Sequence, residues 1–270
     1  MLFEQSWRTQ TTRDRTRLTS VQSELMRIAI FSDVHGNRPA LESVLADIST
    51  KYVDAVYCLG DLVGYGASPN ECAARIRADR IPTVMGNYDD GVGFDRDECG
   101  CAYRDPMDQE LGNRSLAWTR AQTTPENKAF LRTLLPEIRF SVDGRRILLV
   151  HGSPRKMNEY LFEDRPVSSF QRLAASSNAD VIVFGHTHKP YAKTVDGVLF
   201  VNDGSVGKPK DLDWRACYVI LEDGAVAFHR VSYDVRAAAD AIRATELPGE
   251  FAEDIESGGA ARQVQRQKSF

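Results

Sequence analysis

The chain has 270 residues, 27% of them charged, and a formal net charge of -4. That length carries one large domain or two small ones, and that charge supplies no overall field for nucleic acid or an anionic membrane. No stretch reaches the roughly 18 consecutive apolar residues of a membrane span, Met1–Gln22 is polar and rich in Arg and Thr where a secretory leader has an apolar core, and five cysteines without secretory features read as reduced thiols of a cytoplasmic protein.

Residues 1–25 show no amphipathic period and are expected to be a disordered or non-native extension. Arg27–Phe31 (RIAIF) is the first of five short apolar runs that read as buried strands. It runs into Asp33-Val34-His35. Leu41, Val44, Leu45 and Ile48 mark one face of a helix over 39–48. Ala55–Leu59 runs into Gly60-Asp61. Ser68-Pro69-Asn70-Glu71 reads as a capping box with Pro in the first turn, which opens a second helix. Pro82–Met85 is expected as a third strand, running into Gly86-Asn87. The first third is therefore β-α-β-α-β, the pattern of a parallel sheet with right-handed crossovers. Asp89–Pro106 is expected to be a loop over the strand ends. Asp108–Leu135 is helical in pattern, broken at Thr124-Pro125. Arg139–Val142 and Arg146–Val150 form a hairpin about Asp143-Gly144, and its apolar second strand reaches His151. A helix over 167–175 precedes the strand Val181–Phe184, which runs into Gly185-His186-Thr187-His188. Short strands follow at 191–195, 198–201, 216–221 and 225–231, then a helix at 237–244. The domain is read as 26–245, and 246–270 as a disordered tail.

In α/β sheets, ligands bind beyond the carboxyl ends of the strands. Here those ends offer Asp33, His35, Asp61, Asn87, His151, His186 and His188. Singly, each motif is weak: a lone His at a strand end is more often a packed residue, and a lone Gly-Asp is a turn. Together they read as a metal site. The donors are hard to borderline and include no Cys, which favours Mn, Fe or Zn over a thiolate-bound structural zinc. Seven donors are too many for one four-coordinate ion and suit two ions sharing one carboxylate. Asp61 is the natural bridge. Two ions about 3.5–4 Å apart activate a bridging hydroxide and clamp an in-line displacement, chemistry that suits phosphate ester hydrolysis.

In this order the motifs resemble those of the calcineurin-like metallophosphoesterase superfamily over residues 26–231. Asn202–Gly207 (NDGSVG) is similar to the Asn-Pro-Gly-Ser turn of its small bacterial phosphodiesterase branch, with Asp203 where Pro is usual. The resemblance implies an α/β fold, a four-layer αββα sandwich with two mixed β-sheets and a di-metal site at the strand C-terminal ends. It puts Asp33, His35, Asp61 and His188 on one ion, and Asp61, Asn87, His151 and His186 on the other. It implies two divalent transition-metal ions, Mn foremost, with Fe, Zn or Ni admitted.

The chain departs from the family pattern at Tyr88. Members usually carry a His there that protonates the leaving group, and the larger phosphatases place an Asp that orients it where this chain has Gly64. Asn87 and Tyr88 are thus the catalytic candidates, with Tyr the poorer proton donor at a reference pKa near 10. Arg155 and Lys156, just after His151-Gly152-Ser153-Pro154, are candidates to hold phosphate oxygens; a solvated turn is the equal alternative. The expected function is hydrolysis of a small phosphorylated molecule, foremost a nucleotide. The alternatives are a DNA nuclease of the same superfamily, for which no basic face or DNA-holding module is evident, and a non-catalytic metal-binding scaffold. Neither a membrane nor a nucleic-acid partner is expected, and no oligomeric state is implied.

Overall fold

Side-chain alternation along the strands decides the layering. In β1 (Arg27–Phe31), Ile28 and Ile30 face one way and Ala29 and Phe31 the other. β1 pairs in parallel with β2 (Ala55–Cys58) and antiparallel with β8 (Ala216–Glu222), which pairs with β9 (Ala225–Val231). The second sheet runs β3-β4-β5-β7-β6. It comprises β3 (Ile138–Val142), β4 (Arg145–Leu149), β5 (Val181–Phe184), β6 (Tyr191–Val195) and β7 (Val198–Asn202), of which β4, β5 and β7 are parallel. Both sheets are mixed. The computed structural model describes residues 26–100 and 105–261, so the expectations for residues 1–25 and for 262–270 of the tail lie outside it.

Three apolar cores make four layers. Ile28, Ile30, Val219 and Leu221 pack with Ile147, Leu149, Val181 and Val183 between the sheets. The outer face of the first sheet is covered by α1 (Arg38–Ser49), α2 (Pro69–Ala78), α3 (Asn87–Gly93), α4 (Pro106–Gln122) and α5 (Pro125–Leu131), together with α7 (Val235–Arg243) and α8 (Glu250–Ser257). The outer face of the second sheet takes α6 (Val167–Ser177), whose Phe170 and Leu173 meet Leu148, Ile182 and Phe184. This is the expected αββα sandwich.

Local chemistry explains the helix starts. Asn37 caps α1 by accepting from Ala40 N, with Pro39 in the first turn. Thr124 Oγ1 accepts from Asn127 N at 3.3 Å and Pro125 opens α5. At α2, Ser68 holds the cap position, but its side chain makes no capping bond. Pro69 there marks the start without the expected box.

The sequence expectations for individual elements need correcting at three places. Residues 82–85 form no strand: Thr83 bridges Cys58 and Val84 bridges Leu135, each singly. The segment changes partner within two residues, too few for a ladder on either side. The segment expected as a loop from Asp89 begins inside α3, a helix hidden in sequence by Gly91 and Gly93. The tail expected from 246 contains α8, which buries Phe251, Ala252, Asp254 and Ile255. Its spacing is helical, but it is short and flanked by Gly249 and Gly258-Gly259.

Candidate metal centre

The parallel strands β1, β2, β4 and β5 deliver their candidates just past their last residues, and Asn87 opens α3. Asp33 (φ 53°), His35 (φ 49°), Asp61 (φ 54°), His186 (φ 65°) and His188 (φ 58°) all have left-handed backbone. An extended exit from the strand is expected to set Asp33 and His35 on one side. The structure sets them there through tight turns instead. Left-handed backbone costs an L residue about 1–2 kcal/mol, Asp and His tolerate it better than most, and such strain gathers at functional sites.

All seven candidate ligands come together. Asp33, His35 and His188 form one buried group and Asp61, His151 and His186 another, with ligand atoms inside each group within 4.8 Å of one another. His35 Nε2 lies 3.2 Å from His188 Nε2, and His188 Nε2 lies 3.3 Å from Asp33 Oδ1. His151 Nε2 lies 3.2 Å from His186 Nδ1 and 3.1 Å from Asn87 Oδ1. Asp61 stands between the groups, its Oδ2 3.7 Å from His35 Nε2 and 3.4 Å from His151 Nε2.

These donors fit metal ions. His35 Nδ1 contacts the Val63 carbonyl at 3.1 Å, His151 Nδ1 that of Leu59 at 2.8 Å, and His188 Nδ1 that of Lys208 at 2.6 Å. A carbonyl only accepts, so each Nδ1 carries the hydrogen; His35 and His188, kept neutral by burial, then present Nε2 as a lone pair, whereas His151 must give up a proton to do so. Back-side bonds of this kind orient metal-ligating histidines. The Nε2 lone pairs of His35 and His188 then face each other with no proton between them, an arrangement that a cation relieves. Asp33 Oδ1 and His186 Nε2 are buried without a hydrogen-bond partner.

The charge pattern agrees. Burial pushes His35 and His186 down to about 3, and it also lowers His188. Burial opposes ionisation of His151 as well, but Asp61 overrides it and raises that imidazole to about 10. Burial raises both acids, yet His188 holds Asp33 well below the usual carboxylate range and His151 holds Asp61 below it. The centre is an ionised, acceptor-rich cluster.

Three supporting residues were not among the site candidates read from the sequence. Asp89 accepts from Asp61 N (2.7 Å), Leu62 N (2.9 Å) and Gly86 N (3.0 Å), tying the two Gly-containing turns together. Burial and then the Asp61 carboxylate raise Asp89 to about 7. The signal for it was its place three residues after the Gly86 cap. Ser32 Oγ lies 2.7 Å from Asp33 Oδ2 and 2.6 Å from Asp203 Oδ1. One hydroxyl proton cannot serve both. With Asp33 ionised, Ser32 donates to it and Asp203 donates to Ser32 as a neutral acid. Burial, then Asp33, holds Asp203 well above the usual range.

Tyr88 corrects an expectation. It is 1% exposed, and its hydroxyl donates toward the Gly112 carbonyl on α4 at 3.4 Å. Its ring packs edge-on against His35 and tilted on Tyr65. The phenol is directed into the helical layer, not at a substrate. Its backbone serves the centre by donating from N to Asp61 Oδ1 at 2.8 Å. The ring occupies space that Gly64 leaves: a Cβ on Gly64 would fall 2.4 Å from Tyr88 Cδ1, at φ 95°. Gly64→Ala should therefore destabilise the fold by about 2–5 kcal/mol, combining left-handed strain with overpacking. Urea unfolding measures this, and Tyr88→Leu in the same chain should recover the overpacking share. A loss below about 1 kcal/mol, the size of a benign core swap, would show that the ring yields freely.

Arg155 and Lys156 lie on the wall of a cleft of about 1400 Å³ beside the centre. Arg155 is engaged with Glu159, which also pairs with Arg165. Tyr65, which packs on His35, Tyr160, which packs on His186, and Thr187, between two ligands, line the same cleft.

Residues 26–223 match the family model described as the calcineurin-like phosphoesterase superfamily domain. An uncharacterized protein of Methanocaldococcus jannaschii is 33% identical over 242 residues, covering 82% of this chain and 93% of that protein. A protein of Escherichia coli K12 named phosphodiesterase YfcE is 26% identical over 196 residues, covering 69% of this chain and 82% of its own. The solved metallophosphoesterase from Sphaerobacter thermophilus superposes with a TM-score of 0.71 at 31% identity, covering 86% of this chain and 99% of that one. A hypothetical protein from Pyrococcus horikoshii shares the fold, with a TM-score of 0.77 at 21% identity, covering 87% of this chain and 99% of its own.

Proposed function

The chain belongs to the calcineurin-like phosphoesterase superfamily and is a hydrolase of phosphate esters, and from that premise we propose that it cleaves a phosphodiester or phosphoanhydride in a small nucleotide. One observation carries the reading: two buried groups of three donors, joined by Asp61, lie directly behind Tyr65, Tyr160 and Thr187 on the wall of an open cleft. In this reading Asp33, His35, Asp61 and His188 hold one divalent ion, and Asp61, Asn87, His151 and His186 the other. Two ions bound there supply Lewis-acid polarisation of the phosphoryl group and a water acidic enough to ionise near neutral pH. Manganese suits the oxygen- and imidazole-rich, thiolate-free set, with iron, zinc or nickel as substitutes.

The chain's own groups hold this arrangement still. The backbone carbonyls of Val63, Leu59 and Lys208 lock three imidazoles. Ser32 Oγ and His186 N, at 2.7 and 2.8 Å, fix Asp33 Oδ2 and leave Oδ1 for the ion. Tyr88 N fixes Asp61 Oδ1 and leaves Oδ2 between the two groups. Lys156 and Lys189 line the cleft and make no ion pair among the described residues, so they are available to phosphate oxygens.

The nucleotide reading rests on aromatic faces next to the centre. Tyr160 lies 4.1 Å from His186 by ring centroids, and Phe162 is parallel to Tyr160 at 5.7 Å and 10°. Planar bases stack on such rings. The relative named a phosphodiesterase supports a diester substrate, and the free thiols of Cys58, Cys72, Cys99 and Cys217 support action in a reducing compartment, the cytoplasm. No helix among the described residues is long and apolar enough to cross a membrane. The test is steady-state hydrolysis by metal-stripped protein reloaded with Mn²⁺, using bis-p-nitrophenyl phosphate and a nucleotide panel beside ribose 5-phosphate. We expect metal-dependent turnover, and Phe162→Ala should raise KM for nucleotides and not for ribose 5-phosphate. Two bound ions without turnover would make the chain a scaffold.

A further inference from the structure

We infer that the C-terminal helix α8 is a brace for one of the two ions: Asp254 and Phe251 fix Lys208 and Tyr65, which in turn hold the ligands His188 and His35. The inference rests on the ligand assignment proposed above. Its two residues on α8, Phe251 and Asp254, lie outside the span 26–223 that matches the family model.

The chain of contacts is continuous. Lys208 and Asp254 form an ion pair with only 3% and 0% of each residue exposed. The Lys208 ammonium also lies over the Tyr65 ring at 5.0 Å and the Phe251 ring at 5.5 Å. Phe251 meets Tyr65 edge to face at 5.0 Å, and Tyr65 meets His35 edge to face at 4.9 Å. On the other branch, the Lys208 carbonyl takes the Nδ1 hydrogen of His188 at 2.6 Å. Lys208 N donates to Ser205 Oγ, and Ser205 Oγ donates to the Asp33 carbonyl, both at 2.9 Å. Gly207 N donates to the same carbonyl at 2.9 Å.

Every member of the Asp33–His35–His188 group is therefore supported by the segment that α8 clamps. The second group touches that segment less directly, through the bond of His186 N to Asp33 Oδ2 and through Tyr88, whose ring packs on Tyr65. His151 is held by the Leu59 carbonyl, Asp61 by Tyr88 N and Asp89, and His186 N by Asp33 Oδ2. A buried ammonium that loses its partner carboxylate must move or find water. Moving Lys208 shifts the carbonyl that sets the His188 tautomer and ring orientation. Loss of such supporting partners costs about 10–100-fold in metal affinity. The brace thus makes the two ions unequally dependent on the C-terminal segment.

The experiment measures both Mn²⁺ affinities by chelator competition in full-length wild type, Asp254→Asn and Phe251→Leu. Asp254→Asn removes the charge at constant shape. Phe251→Leu keeps the ion pair and removes the aromatic contact, so it decides the matter if the first variant does not fold. We expect one ion to weaken about 10–100-fold while the other keeps its wild-type affinity. Combined with His188→Gln, which breaks the braced group directly, Phe251→Leu should weaken the remaining ion no further. Lower melting temperatures with both affinities unchanged would reduce α8 to a structural element and overturn the inference alone, as would equal weakening of both ions. A wild type that binds fewer than two ions would overturn the ligand assignment and this inference with it.

Discussion

Asp61→Asn is expected to lower kcat by at least about 10²–10³-fold, the scale on which single preorganised electrostatic contacts are lost from active sites, and to release bound metal. Asn conserves volume and can keep the bond from Tyr88 N to Oδ1 (2.8 Å). What it removes is the negative charge on the oxygen facing both His35 and His151. Removing it therefore weakens both proposed ion sites at once. Arg155→Ala is the contrasting control: its guanidinium is half exposed and occupied by Glu159, and salt bridges so exposed contribute about 0–1 kcal/mol. Metal stoichiometry and kcat measured on the same samples separate the two. Similar mild effects from both substitutions would show that Asp61 is not the shared ligand.

The site was legible because its chemistry is written at strand ends. Ile28 and Ile30, Ile147 and Leu149, and Val181 and Val183 read as buried strands from their apolar runs, and each run stops at an acid or imidazole. What stayed hidden depends on contacts distant in sequence. The segment at 82–85 reads as a strand by composition, but it divides its pairing between Cys58 and Leu135. α8 carries too few apolar residues to announce itself, and it is ordered by burying Phe251 and Ile255 against the first sheet's helices. Asp203 stands where a Pro is expected by resemblance, yet its role follows only from Ser32, 171 residues earlier in the chain, which has one proton for two carboxyl groups. The left-handed backbone at five candidate ligands has no sequence signature either, since Asp and His are merely permitted there.

The last expectation concerns proton supply to the leaving group. The sequence made Tyr88 the candidate donor, and the structure buries its hydroxyl against Gly112 on α4. Tyr88→Phe should therefore leave the dependence of rate on leaving-group pKa unchanged. That dependence should itself be steep. A positioned general acid contributes about 10²–10⁴-fold, and without one the departing oxygen must carry its charge away. Aryl diesters and phosphoanhydrides should turn over faster than glycerol phosphate by a factor in that range. Tyr88→His alone should help little, because the imidazole leaves part of the ring's space empty and Gly64 offers no carboxylate to orient it. Adding Gly64→Asp supplies that carboxylate, and the smaller imidazole frees the volume that a side chain at 64 needs. Strain at φ 95° lowers stability in the pair, so it must be assayed well below its melting temperature. The double variant should flatten the plot of rate against leaving-group pKa, while Tyr88→Phe superposes on wild type. A large loss in Tyr88→Phe confined to poor leaving groups would return the phenol to the role of donor. A flat wild-type plot with chemistry rate-limiting would mean that another group in the cleft supplies the proton.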